Sequence, residues 1–172
     1  MKLNFSTSLE ALLNSGREGG FSNNPADPGG MTNLGVTKRV WESWVGHPVT
    51  EDDIRALTSE LVAPLYKLRY WDAAVCDSLP NGIDYSVFDC AVNSGPTRAI
   101  KFLQSAVGTT ADGAIGPHTL SAVINSDPKE LITAYNALRL SFMQNLPAWP
   151  DFKNGWSRRV AEITKESLAL VA

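Results

Sequence analysis

One glutamate and one aspartate, nine residues apart, stand in a turn-rich stretch over residues 16–37, GREGGFSNNPADPGGMTNLGVT. Glu18 follows a leucine-rich segment and leads through two glycines towards Phe21, whereas Asp27 lies in the polar run ADPGG and Thr32 follows it. Hydrolysis of a glycosidic bond needs such an unequal pair. One carboxylic acid must stay protonated to donate to the leaving oxygen, while a second carboxylate acts on the opposite face of the sugar. Apolar surroundings raise the pKa of the acid, and a polar hydrogen-bonded loop keeps the other group ionised. A Thr32 hydroxyl beside Asp27 would hold the water. The competing reading is a surface loop in which Asp27 bonds backbone N–H groups around Gly29 and Gly30. Thr37 either lines the same site or caps the helix that follows Val36. Asn23, Asn24 and Asp27 match no standard calcium-loop spacing.

The elements that must position these residues read as helices. TSLE at 7–10 has the form of a capping box, with Leu9, Leu12 and Leu13 following at helical spacing. That helix is expected to run to Arg17 or Glu18, where glycines end it. Residues 19–35 read as turns with a short hairpin. Helices are expected over 37–45, from Thr50, and over 58–74 with a kink at Pro64. Another is expected over 82–93, with Ile83, Val87, Phe88, Ala91 and Val92 as its apolar stripe. Pro96 and Pro117 each open a helix, and Asp127-Pro128 starts a long one to Leu146. PAWPDFKNG reads as a loop before a final helix over 155–171. The fold class is mainly α, a helical bundle with a short loop or β-hairpin region after the first helix.

Several other residues carry two readings. Tyr70 and Trp71 either fill the core or line a sugar groove, where aromatic faces with polar edges are useful. Asp89 and Asn93 lie four apart on one helix face. They form either a satisfied buried network or the wall of a cleft, where an amide such as Asn93 can bond an N-acetyl group. DGAIGPHTL is a tight turn before a proline-started helix, and is either purely structural or a second contact surface for glycan or stem peptide. His118 and His47 are the only histidines, so no zinc site and no cofactor is expected.

The whole chain of 172 residues has a net charge of −3 and pI near 5.3, which argues against nucleic acid as a partner. Residues 1–89 carry 7 Lys/Arg and 12 Asp/Glu, a balance of −5, and residues 90–172 carry 8 and 6, a balance of +2. If either half meets an anionic polymer, it is the second. Cys76 and Cys90 are too few for a disulfide framework and read as buried thiols. No apolar run reaches the length of a membrane span, and the N-terminus lacks a signal peptide's apolar core. The C-terminal helix with Arg158, Arg159 and Lys165 is amphipathic and is expected to pack on the core. A monomer without membrane insertion is expected.

EGGFSNNPADPGGMTNLGVT closely resembles the signature of glycoside hydrolase family 108, the peptidoglycan muramidases of many phage endolysins. DIRALT with YKLRYWD, FDCAVNSGPTRAIKFLQ, DGAIGPHTL and FKNGWSRRV resemble the family's later blocks in the same order. The resemblance implies a lysozyme-like fold and cleavage of the β-1,4 bond between N-acetylmuramic acid and N-acetylglucosamine. It places the catalytic glutamate at Glu18. The order and spacing of Glu18, Asp27 and Thr32 are also similar to those of the small phage lysozymes, which implies that Asp27 and Thr32 guide water, and so predicts inversion with carboxyl groups roughly 6.5–9.5 Å apart. Tyr70, Asp89, Asn93 and Thr37 are the candidate substrate-binding residues. Residues 1–90 are expected to form the catalytic region and 91–172 a peptidoglycan-binding region packed into the same body. The implied setting is the host cytoplasm until a separate protein opens the inner membrane. A lytic transglycosylase using Glu18 alone, a wall-binding module without catalysis, and a chitinase or chitosanase remain as rivals.

Overall fold

The computed structural model describes residues 2–14, 20–23 and 30–171. Glu18 and Asp27, the two candidate catalytic carboxylates, lie outside the described residues, as does the expected end of the first helix. The described chain forms two compact units, one of Met1–Phe5 with Arg69–Ala172 and one of Ser6–Leu68.

Helix α1 spans Lys2–Asn14 and so passes from the first unit into the second. It begins well before the Thr7 cap that TSLE suggests. Phe5 is buried on the same helical stripe as Leu9, Leu12 and Leu13, so burial extends the helix past a local cap signal.

In Ser6–Leu68 the hairpin pairs β1 (Thr32–Asn33) with β2 (Val36–Thr37), Thr32 opposite Thr37 and Asn33 opposite Val36. Leu34 and Gly35 form the two-residue turn with φ of 48° and 70°, the left-handed pair that matches strand twist. Tyr66 donates its hydroxyl to the Leu34 carbonyl at 2.9 Å and holds the turn in place. Asn33 donates its amide to the Ile54 and Arg55 carbonyls at 2.9 and 3.3 Å, satisfying the end of the short helix α3 (Glu51–Arg55). Because leucine fits the left-handed region poorly, Leu34→Asn is expected to raise stability by up to about 1 kcal/mol. Urea unfolding at neutral pH checks this, and a lower midpoint would mean that Leu34 packing outweighs the turn strain.

Helix α2 (Lys38–Val45) follows β2 directly, capped by Thr37, whose hydroxyl accepts from the Val40 N–H. Helix α3 carries a full capping box from Thr50 and Asp53. Helix α4 (Ser59–Tyr66) contains Pro64. The helix does not stop there. It widens into a π-helical turn over Lys67–Asp72, a departure from the single kinked helix expected over 58–74. Missing the Pro64 N–H, the backbone re-forms its bonds at wider spacing one turn on.

The larger unit is organised around α5 (Ile83–Ser94), which packs against α6 (Pro96–Ala106), α8 (Pro128–Gln144) and α9 (Trp149–Ala169). Every residue from Ile83 to Ala91 is buried. The sequence suggested a one-sided stripe, but a helix covered on all sides is a central one. Phe5, Trp71 and Phe88 form a triangle of edge-to-face rings with centroids 5.4–5.9 Å apart. Gly82, at φ +83°, precedes α5, and a Cβ there would run into the Ser167 carbonyl of α9. Only glycine permits that approach.

Helix α7 (Pro117–Ile124) opens at Pro117, and α8 is capped by Asp127, whose carboxylate accepts from the Lys129 and Glu130 N–H groups. Helix α9 begins at Trp149, six residues before the expected start. Pro150 lies in its first turn, where proline starts helices rather than breaking them. Both cysteines are buried. Among the described residues no helix is long and apolar enough to cross a membrane.

Candidate active site

Backbone pairing joins the described residues nearest in sequence to the candidate carboxylates. Ser22 and Thr32 form an antiparallel bridge, each N–H donating to the other's carbonyl at 2.8 Å. In sequence Ser22 stands four residues after Glu18, and Thr32 five after Asp27. Thr32 is paired with Ser22 on one side and Thr37 on the other. Directly opposed residues of antiparallel strands point to the same face, so three hydroxyl side chains stand in a row across this small ribbon. Among the described residues the Thr32 hydroxyl donates to the Gly30 carbonyl, at a long 3.4 Å. The Thr37 hydroxyl is engaged by the Val40 N–H at 3.2 Å, so of its two readings the helix cap is present. Beside the ribbon the Arg55 guanidinium lies 3.7 Å from the centre of the Phe21 ring. Arg55 also donates to Glu51 at 2.6 and 2.9 Å. Phe21 is thereby held over a cation rather than left in a loop.

Tyr70 and Trp71 separate on the π-helical turn. Trp71 is fully buried and donates its indole N–H to Asp77 at 2.9 Å, whereas Tyr70 is half-buried.

Asp89 requires a correction. Its side chain has 0% exposure, so it lines no cleft. Arg139, also at 0%, places Nη1 2.6 Å from one carboxylate oxygen, and Arg159 reaches the other at 2.9 Å. The Arg139 contact is an ion pair by distance but lacks hydrogen-bond alignment, and Nε and Nη1 have no hydrogen-bond partner among the described residues. Burial pushes the Asp89 carboxyl up, but the two guanidinium groups together outweigh it and hold the pKa below the usual aspartate value. Helix spacing still links Asp89 to Asn93. Arg139 spans both, its Nη2 standing 3.5 Å from the Asn93 amide oxygen. Asn93 is exposed at the C-terminal end of α5. Next to it, a pocket of about 270 Å³ is lined by Ser94, Gly95, Pro96, Thr97, Arg98 and Lys101.

Arg139 went unnoticed in the sequence, and Arg159 reads there as one charge of the amphipathic C-terminal helix. For Arg139 the signal existed: it falls on the buried stripe of α8, four residues from both Tyr135 and Met143. A charge on such a stripe needs a buried partner. Gln104 is another missed hub. Its buried amide donates to Asp112, Ala114 and Thr119 at 2.7–3.3 Å and accepts from Gly113 at 2.9 Å. The DGAIG turn is wrapped around it, which accounts for that motif structurally. Among the described residues no group of three His, Cys, Asp or Glu side chains gathers as a metal set.

Residues 13–95 match the family model described as Glycosyl hydrolase 108, and residues 98–161 match one described as Predicted Peptidoglycan domain. The chain also matches the solved structure of Brucella abortus SagA. The identity is 35%, the TM-score is 0.86, and the match covers 99% of this chain and 97% of that one. The chain belongs to glycosyl hydrolase family 108. It is a glycoside hydrolase, and its substrate is peptidoglycan. None of the curated proteins compared with it matches.

The hydrolase's two matched segments meet at the Gly95–Pro96 turn between α5 and α6, inside the larger compact unit. Its FDCAVN and GWSRR blocks, one in each segment, read each other through Asp89 and Arg159. The peptidoglycan segment therefore shares its core with the last helix of the hydrolase segment.

Proposed function

We propose that the protein is an N-acetylmuramidase that cuts the β-1,4 bond between N-acetylmuramic acid and N-acetylglucosamine. Glu18 is the general acid, and Asp27 with Thr32 directs water to the opposite face of the sugar. The observation that carries this reading is the pairing of a family 108 match over 13–95 with a peptidoglycan match over 98–161 in one chain. The bridge from Ser22 to Thr32 supports it locally, because it sets Ser22, Thr32 and Thr37 in a hydroxyl row whose central member makes a long 3.4 Å contact among the described residues. Tyr70 and Asn93 remain the substrate contacts in this proposal. Residues 1–90 carry the chemistry and 91–172 the wall contact, acting as a monomer of the phage endolysin kind once released from the cytoplasm.

The test is a digest of purified peptidoglycan with the products read by mass spectrometry. Reducing N-acetylmuramic acid ends are expected. Anhydro-muramic ends would replace the proposal with a lytic transglycosylase and take the water-directing role from Asp27. Reducing N-acetylglucosamine ends would move the cut to the other bond.

A further inference from the structure

Three aromatic side chains lie together on the first two turns of α9. Phe152 and Trp156 stack with planes 15° apart and centroids at 5.5 Å, and Trp149 meets Trp156 at 6.2 Å. Spacings of three and four residues put them on one helix face. Phe152 is 55% exposed, and Trp149 and Trp156 are half-buried. Burying rings is what aromatics normally gain from folding, so a stacked set left open to solvent points to a contact. Lys153 is exposed on the flank of that face and gives the rings a hydrogen-bond donor at their edge.

We propose that Trp149, Phe152 and Trp156 form a platform that holds the glycan strand of the bacterial wall, apart from the hydrolytic residues. The proposal rests on the peptidoglycan reading above. All three rings fall within the residues 98–161 that match the peptidoglycan model. A pyranose ring offers a flat apolar C–H face edged by hydroxyl and acetamido groups. An open aromatic face with a donor at its edge fits that chemistry, and its place inside the peptidoglycan match favours a glycan over a lipid surface. The +2 balance of residues 90–172 also favours a wall bearing stem-peptide carboxylates.

The test uses the full chain and three substitutions at the exposed ring: Phe152→Ala, Phe152→Leu and Phe152→Tyr. Each is pelleted with insoluble peptidoglycan in the cold and assayed separately on a short soluble peptidoglycan oligomer. Phe152→Ala and Phe152→Leu are expected to weaken wall binding about five- to tenfold, while Phe152→Tyr keeps it, as loss of one aromatic face predicts. Cleavage of the soluble oligomer and the unfolding midpoint should stay at wild-type levels. Unchanged binding by Phe152→Ala overturns the platform. So does full binding by Phe152→Leu, because a flat face would then be unnecessary. Equal loss on soluble and insoluble substrate overturns it too, as does a change in sedimentation or in binding to anionic phosphatidylglycerol vesicles that accounts for the effect. Wild-type protein that cleaves without pelleting removes the platform but leaves the hydrolase. Protein that neither pellets nor cleaves removes the function proposed above, and the platform with it.

Discussion

Asp89→Asn is expected to lower folding stability by about 3–5 kcal/mol, the usual cost of stripping a buried charge of its partner. Substituting the amide keeps the volume of Asp89 and removes only its charge. Arg139 then remains at 0% exposure without its counter-ion, 2.6 Å from a neutral group. Arg159 loses its carboxylate as well, although it is partly exposed and recovers some hydration. Urea unfolding at neutral pH measures the loss. Adding Arg139→Met to Asp89→Asn should restore part of it, since the uncompensated charge goes with the second change. A loss below about 1 kcal/mol in Asp89→Asn would mean that this cluster is not the clasp of the α5, α8 and α9 core.

The same network sets a pH dependence. The folded pKa of Asp89 lies below its ordinary value of 3.8. Its contribution is therefore fully present above about pH 4 and is lost as pH falls through the folded pKa. The gap in stability between wild type and Asp89→Asn should narrow below pH 4. Asp84 works in the opposite sense. Burial raises its pKa first, against the lowering bonds from Asn4 and the Tyr85 and Gly82 backbone, so its ionisation weakens the fold as pH rises through 3.8 and beyond. An acid titration of wild type alone mixes the two; the mutant comparison isolates Asp89.

Local signals explain which elements could be read in advance. Thr37, Thr50, Asp127, Pro96 and Pro117 each mark a helix start where the sequence suggests, because a cap or a first-turn proline acts within three or four residues. Helix α1 escaped that logic because TSLE is a good cap signal overridden by burial of Phe5, two residues upstream. The start of α9 was hidden because PAWPDFKNG, with two prolines and a glycine, reads as a loop. A first-turn proline costs the helix nothing, and an exposed interior glycine costs about 1 kcal/mol relative to alanine, which stacking of Phe152 on Trp156 helps to offset. The pairing of Asp89 with Arg159 spans 70 residues, a separation no short motif encodes. Glu18, Asp27 and Thr32 could be proposed from the sequence for the opposite reason, since all three fall within fifteen residues. What spacing left open was the role of each side chain: Thr37 is a cap and Asp89 a clasp, and both looked equally fit for a cleft.

Glu18→Gln is expected to lower kcat on peptidoglycan by about 10²–10⁴, the range for losing a positioned general acid. Glutamine keeps the shape and a hydrogen bond but cannot deliver a proton to the leaving oxygen, so wall binding and the unfolding midpoint should stay at wild-type values. Activity within threefold of wild type would remove Glu18 from the chemistry. Asp27→Asn separates the mechanisms. If Asp27 activates water, its loss is comparable to that of Glu18→Gln, and the first product of the wild-type enzyme is the α-anomer, visible by proton NMR before mutarotation. In a transglycosylase, attack by the sugar's own hydroxyl needs no second carboxylate, and Asp27→Asn would stay active. Thr32→Val should fall between these limits. Its backbone pairs with Ser22 and Thr37 whatever the side chain, and β-branched valine suits a strand as well as threonine. Any fall in rate then reports the hydroxyl alone, and an unchanged rate would leave Asp27 to hold the water without it.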